Sequence, residues 1–416
     1  MRNVWHWICR HPLAIALLLA ATLTAIGAVI RQQRATDDVL REGEEALAAH
    51  DYTKARERIE KFLESRPHDT RARLLAARAA RRLREYYEAG EHLKRCREDG
   101  GDAEAISIEE RLIDVQRGKA APETALRERA TRGDDLALAI LEVLIQFDLD
   151  TYRLHEARDE LTLYLTVRPK DLQARLARAY IWERFLYFAD AVEDYRKAVA
   201  DHADSAVARL RLAETLLIVG TPAEALAQFQ WLAERWPERA EVRLGLGRCR
   251  RRLGEADEAT RVLDALLDDV PSLGEALWER GQLEIDRDRF AAAEPWLRRA
   301  CAATPRDRRF NYSLYRCLLA LGRDDAESFN DRVKDIDTDL LRLDQVRHAV
   351  MKQPDNAKLR HEGGLLFLRN GERAEGIRWL EMALRLDPSC DAARDALVNK
   401  AFSPDERPPA YIPEPK

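Results

Sequence analysis

Small and bulky apolar positions recur along this chain at a fixed spacing of 34 residues, with polar residues filling the intervals. Alanine marks the period at Ala55, Ala89, Ala157, Ala191, Ala225, Ala259 and Ala293, and only the slot at Glu123 is missed. Proline keeps the same period at Pro67, Pro169, Pro237, Pro271 and Pro305. A period of this length reads as stacked helical hairpins, each unable to bury its apolar faces alone. Counting from Thr36, eight repeats follow without a gap: 36–69, 70–103, 104–137, 138–171, 172–205, 206–239, 240–273 and 274–307. A decayed repeat with an extra helix is expected over 308–356, a clear last repeat over 357–390, and a capping helix over 391–402.

Within each repeat the slots have a physical sense. Position 8 is small (Gly43, Ala77, Ala179, Ala213, Gly247, Gly281, Gly364), and with the alanine at position 20 it lets the two helices approach closely. Large residues at position 17 (Tyr52, Tyr86, Phe188, Phe290) and position 24 (Ile59, Leu93, Leu161, Tyr195, Phe229, Leu263, Leu297, Leu380) fill the gap toward the next repeat. Proline at position 32 lacks an amide hydrogen and turns its predecessor away from helical angles, so the second helix stops there. This pattern resembles the tetratricopeptide repeat family over nearly all of 36–390, with departures at 104–137 and 308–341. The resemblance implies an all-α, right-handed superhelical solenoid of about ten hairpins, whose first helices line a binding groove.

Residues 12–30, PLAIALLLAATLTAIGAVI, carry no charge. At 1.5 Å per residue they extend about 28 Å, roughly one hydrocarbon thickness. Trp5 and Trp7 precede the run and Arg31 and Arg34 follow it, as interfacial anchors do. The reading is a transmembrane signal anchor behind a short tail (1–11), with a cleaved secretory signal as the alternative. Lys and Arg do not settle the orientation. Because short N-terminal tails usually stay inside, the repeat domain is placed on the extracytoplasmic, periplasmic side of the cell membrane. Residues 403–416 (SPDERPPAYIPEPK) are too proline-rich to pack and read as a disordered tail.

Charge and chemistry narrow the function. The formal net charge of −5 argues against a general nucleic-acid binder. Six cysteines show no C-x-x-C spacing, and Cys249 and Cys317 share one repeat slot, which suits buried thiols. Gly245-Leu246-Gly247 lacks the third glycine of a dinucleotide fingerprint, and the nine histidines form no helical pair. Neither an enzyme, a cofactor nor a metal is expected. The groove positions implied by the resemblance carry Arg71, Arg78, Arg81 and Arg82, then Tyr180, Glu183 and Arg184, then Arg248, Arg251 and Arg252, then Trp278 and Glu279, and finally Tyr312 and Arg316. Arginine and aromatic side chains are the composition of peptide-recognition surfaces. The expected function is a membrane-anchored scaffold that binds protein segments, in assembly of a bacterial envelope or secretion complex. The alternatives are an RNA-binding helical repeat and a non-catalytic subunit of a membrane enzyme complex.

Overall fold

The computed structural model describes residues 32–119 and 124–401. The anchor (12–30), the N-terminal tail (1–11) and the proline-rich tail (403–416) lie outside these residues. The chain divides into two compact parts, with the boundary between Val143 and Leu144. Each part is a run of antiparallel helices. First and second helices pack together in most hairpins, and second helices pack on the next first helix from Tyr52–Ser65 to Ala103–Gln116 and again from Leu154–Val167 onward. First helices also touch successive first helices (Ala206–Ile218 with Ala240–Arg252, and that with Gly274–Ile285), as the inner side of a bend requires. Among the described residues there are 21 helices and no strand, and no helix is long and apolar enough to cross a membrane.

Local chemistry sets the helix ends. At position 34, Asp69, Asp171, Ser205 and Asp307 accept backbone N–H bonds from Ala72, Ala174, Ala208 and Phe310 and so cap the following first helices. Every described first helix from 36–69 onward ends two or three residues before a left-handed residue at position 15. Five of these are glycines (Gly118, Gly220, Gly254, Gly322, Gly371). The other five, His50, Arg84, Tyr152, Leu186 and Asp288, hold φ of 56° to 63° despite their side chains. The reward is a closed helix end: Arg84 N–H bonds Arg81 O at 3.0 Å and Glu85 N–H bonds Ala80 O at 2.9 Å.

The small-residue slots work as contact points. A Cβ added at Gly43, Gly247, Gly281 or Gly364 would lie 2.7 Å from the position-24 side chain of its own hairpin (Ile59, Leu263, Leu297, Leu380). Position 24 also reaches forward, since the Phe229 ring lies against Gly245 of the following repeat. It therefore seals both the hairpin and the seam between hairpins. The period alanines Ala55, Ala89, Ala157, Ala191, Ala225, Ala259 and Ala293 are all fully buried.

The two irregular repeats depart from the even spacing. After Ala103–Gln116 comes a seven-residue helix, Thr124–Ala130, and the next helix starts early, at Asp135. Asp134 fixes that start by accepting from Ala137 N at 2.8 Å while Arg129 holds its carboxylate. Further on, the expected second helix and separate extra helix are one continuous helix, Ala326–Lys352. That stretch contains no proline or glycine before Pro354, so nothing interrupts it.

Candidate functional site

The inner-face arginines form a repeat-to-repeat brace. Arg78 Nε and Arg81 Nε donate to the two oxygens of Glu109 at 2.7 and 2.8 Å, and Arg81 Nη1 continues to Gln116 at 3.2 Å. The same arrangement recurs three repeats after 138–171. Arg248 Nε and Arg251 Nε donate to Glu279 at 3.0 and 2.7 Å, and Arg251 Nη1 reaches Asp286 at 3.0 Å. In both cases positions 9 and 12 of one repeat clamp the position-6 carboxylate of the next, with position 12 touching position 13. The polarity reverses once, where Arg211 at position 6 pairs with Glu183 at position 12 of the preceding repeat at 3.4 Å.

These pairs are buried enough to matter electrostatically. Glu109 and Arg81 are each 1% exposed. Burial alone would push the Glu109 carboxyl up, but Arg81 and then Arg78 outweigh it and hold it below the ordinary carboxylate range. Arg81 therefore presents no guanidinium edge to a ligand, and Arg78, Arg248 and Arg251 already have partners.

The remaining candidates fall in several places. Arg82 stacks over Tyr52 at 5.7 Å and pairs with Glu142, and Arg71 pairs with Glu44 at 2.6 Å. Arg252 donates to the Leu217 carbonyl of the preceding repeat. Trp278 stacks on Phe310 at 5.8 Å and donates through Nε1 to Ser313 at 2.9 Å, with Arg309 over its ring. Tyr180 lies under Arg184, 5.8 Å from guanidinium carbon to ring centre. Burial, with Glu375 second, raises the Tyr180 hydroxyl pKa. Tyr312 is 43% exposed and Arg316 is exposed. The structure thus brings Tyr180, Glu183 and Arg184 together, groups Arg248 and Arg251 around Glu279, and leaves Tyr312 and Arg316 on an open helix face.

Two sets of residues escape the sequence reading. A cavity of about 290 Å³ beside Glu183 and Arg184 is lined by the exposed Leu186 and Ile218 and by Arg347. Arg347 comes from the long helix and donates to Arg184 O at 2.8 Å across 163 residues, so no local pattern signals it. The second set is a row of position-4 side chains that donate to the carbonyl at position 32 of the preceding repeat. Arg73 bonds Pro67 O, Arg175 bonds Pro169 O, Arg209 bonds Ala203 O and Asn311 bonds Pro305 O. Arginines at 73, 175, 209 and 243 keep the 34-residue period, so this signal was present in the chain.

Among the described residues no group of His, Cys, Asp or Glu is arranged to hold a metal ion. Burial lifts the thiols of Cys249 and Cys301 to about 12 and that of Cys317 to about 11, so these are poor nucleophiles.

No curated protein matches the chain. Similar solved structures include PilW, titled a widely conserved type IV pilus biogenesis factor, at 19% identity over 49% of this chain and 94% of that one, TM-score 0.41. PilF of Pseudomonas aeruginosa aligns at 19% identity over 51% and 94%, TM-score 0.36. A tetratricopeptide repeat protein from Parabacteroides merdae aligns at 14% identity over 68% and 99%, TM-score 0.36. Models of the tetratricopeptide repeat match residues 40–103 and 216–280. With those matches, the 34-residue hairpins and the helix-only fold, this chain carries tetratricopeptide repeats.

Proposed function

We propose that the protein is a membrane-tethered scaffold that holds extended or helical segments of partner proteins on its first-helix face. One observation carries this reading. Arg316 occupies position 9, the slot of Arg78 and Arg248, but the register breaks after its helix, and the position-6 carboxylate of the next repeat, Glu362, pairs with Arg342 of the long helix instead. It stands exposed between Tyr312 and Leu319, which are 43% and 56% exposed, at the i, i+4, i+7 spacing of a single stripe. An arginine flanked by an aromatic and an aliphatic side chain suits a peptide contact. The charge-free run 12–30 supports the tether, which concentrates the scaffold beside membrane-bound partners. The role we assign is assembly of an envelope or secretion complex, with the repeats on the extracytoplasmic side.

The test uses the full-length chain in its membrane. A photo-crosslinking residue replacing Tyr312 should capture a defined partner segment, and Arg316→Glu should abolish that crosslink. The same probe at Arg261, exposed on a second helix, should capture far less. Equal capture at both sites would overturn the groove reading. Protease access in spheroplasts tests the side of the membrane, and deleting residues 1–31 should release the chain from the membrane fraction.

A further inference from the structure

In a stack of hairpins each repeat touches its neighbours, but in the C-terminal part the last repeat also touches the first ones. Arg153 donates to the Asp355 carboxylate at 2.9 and 3.0 Å. Tyr152 packs edge-on against Trp379 with ring centres 5.1 Å apart. Arg347 donates to the carbonyl of Arg184, and Arg360 donates to the carbonyl of Thr151, 209 residues away. On the receiving side these contacts involve the turn at 151–153 and, through Arg347 of the long helix, the backbone carbonyl of the inner-face residue Arg184.

Arg360 shows why this contact differs from the other seams. It fills position 4, where its equivalents have a polar partner at position 23 of their own hairpin. Arg73 meets His92, Arg175 meets Asp194, and Arg209 meets Gln228. In the last repeat position 23 is Trp379, which offers a ring 5.1 Å away and no acceptor facing the guanidinium. Arg360 turns outward instead, between Tyr152 and Trp379, and takes the carbonyls of Pro354 and Thr151. Both carbonyls follow helix C-termini, where the partial charge is negative. The side chain is wholly buried, its Nη1 has no hydrogen-bond partner, and no carboxylate bonds it. Burial lowers its pKa to about 10. A cation held only by carbonyls and rings gains much of its solvation back when the contact opens.

We propose that this contact is a releasable latch, in which the last repeat (357–390) and the end of the long helix before it close on the turn at 151–153 and the inner-face residue Arg184 and withhold that face from partner segments. The withholding rests on the groove reading above; the latch itself does not. Glu375 of the last repeat raises the pKa of both Tyr180 and Arg184, so the internal occupant brings negative charge to that face. A partner segment that competes for this site has the same chemistry.

The test is hydrogen exchange on the full-length chain carrying Tyr152→Gly. Position 15 accepts glycine in five other repeats, so this variant removes the ring from the latch and leaves its hairpin folded. Asp288→Gly, in the same slot of another repeat, is the control. Exchange across 372–386 should rise at least tenfold in Tyr152→Gly, stay within twofold across 206–303, and remain unchanged in the control. A photo-crosslinker replacing Tyr180 should join residues 372–380 of its own chain in the parent protein and lose that product in the variant. Unchanged exchange at 372–386 would show that the contact holds nothing closed. Exchange rising throughout 206–303 would make it an inseparable part of the fold. Either result overturns the latch, whether or not any partner binds.

Discussion

Replacing glycine with alanine should have opposite effects at two helical sites of this chain, and the sign follows from what the new methyl meets. Gly90 lies in helix Tyr86–Glu98, and a Cβ there would meet nothing within 4 Å. Only the intrinsic term operates, so Gly90→Ala should stabilise its helix by about 0.5–1 kcal/mol. At Gly245, in helix Ala240–Arg252, a Cβ would come within 2.5 Å of three ring atoms of Phe229. That ring is 1% exposed and is the seal between two repeats, so it has no free space to move into. Overpacking of this kind costs about 1–3 kcal/mol. After the helical gain is subtracted, Gly245→Ala should destabilise by about 1–2 kcal/mol. Opening of a repeat array is not all-or-none, so local hydrogen exchange is the appropriate assay. Amides of 222–252 should exchange about tenfold faster in Gly245→Ala, whereas amides of 86–98 should exchange a few-fold slower in Gly90→Ala, a factor of ten being about 1.4 kcal/mol. If both variants stabilise, Phe229 does not lie against the Gly245 backbone, and the seam packing described above is wrong.

The other predictions address charge, acid and backbone strain. His92 is half-buried beside Arg73 and Arg95, and burial first, then those cations, lower its pKa to about 4. The unfolded chain takes up a proton near pH 6.5 while the folded one resists until about 4, so stability present at pH 7 falls across that window, by about 1–2 kcal/mol at pH 5. Thermal melts at pH 7 and 5 should show this loss for the N-terminal part, and His92→Gln should remove it; equal losses in both proteins would refute the assignment. Glu279→Ala leaves Arg248 and Arg251 without their shared carboxylate and should cost about 2–4 kcal/mol, discounted for the partial exposure of the arginines. Chemical denaturation should show that the triple change Arg248→Met, Arg251→Met, Glu279→Met recovers most of it, and no recovery would mean the brace is not acting as a unit. Leu186 is 70% exposed at φ 61°, so Leu186→Gly gives up little burial and should raise stability by about 0.5–1 kcal/mol; a lower melting temperature would contradict the strain argument.

What could be read in the sequence was whatever requires a particular residue size at a particular slot. Position 8 shows this directly: where it is glycine, a methyl would touch position 24 at one distance in four separate hairpins, so the backbone spacing leaves its mark on residue choice. The position-15 turn leaves a weaker mark. Its left-handed angle is shared by His50, Arg84, Tyr152, Leu186 and Asp288 as well as five glycines, because the helix-ending hydrogen bonds around it outweigh a strain of about 1 kcal/mol. The candidate groove was harder to read because arginine serves three purposes on these helices. At position 4 it ties down a turn carbonyl, at positions 9 and 12 it clamps the next repeat, and at Arg316 it faces solvent. What separates the last two is the residue found about thirty positions later: Glu109 answers Arg78 and Arg81, Glu279 answers Arg248 and Arg251, and the unbroken helix Ala326–Lys352 supplies no such answer to Arg316. An inner-face arginine is thus available to a partner where the repeat after it fails to supply a counter-charge. Irregular repeats, where the register breaks down, are for that reason the places to look for binding in this chain.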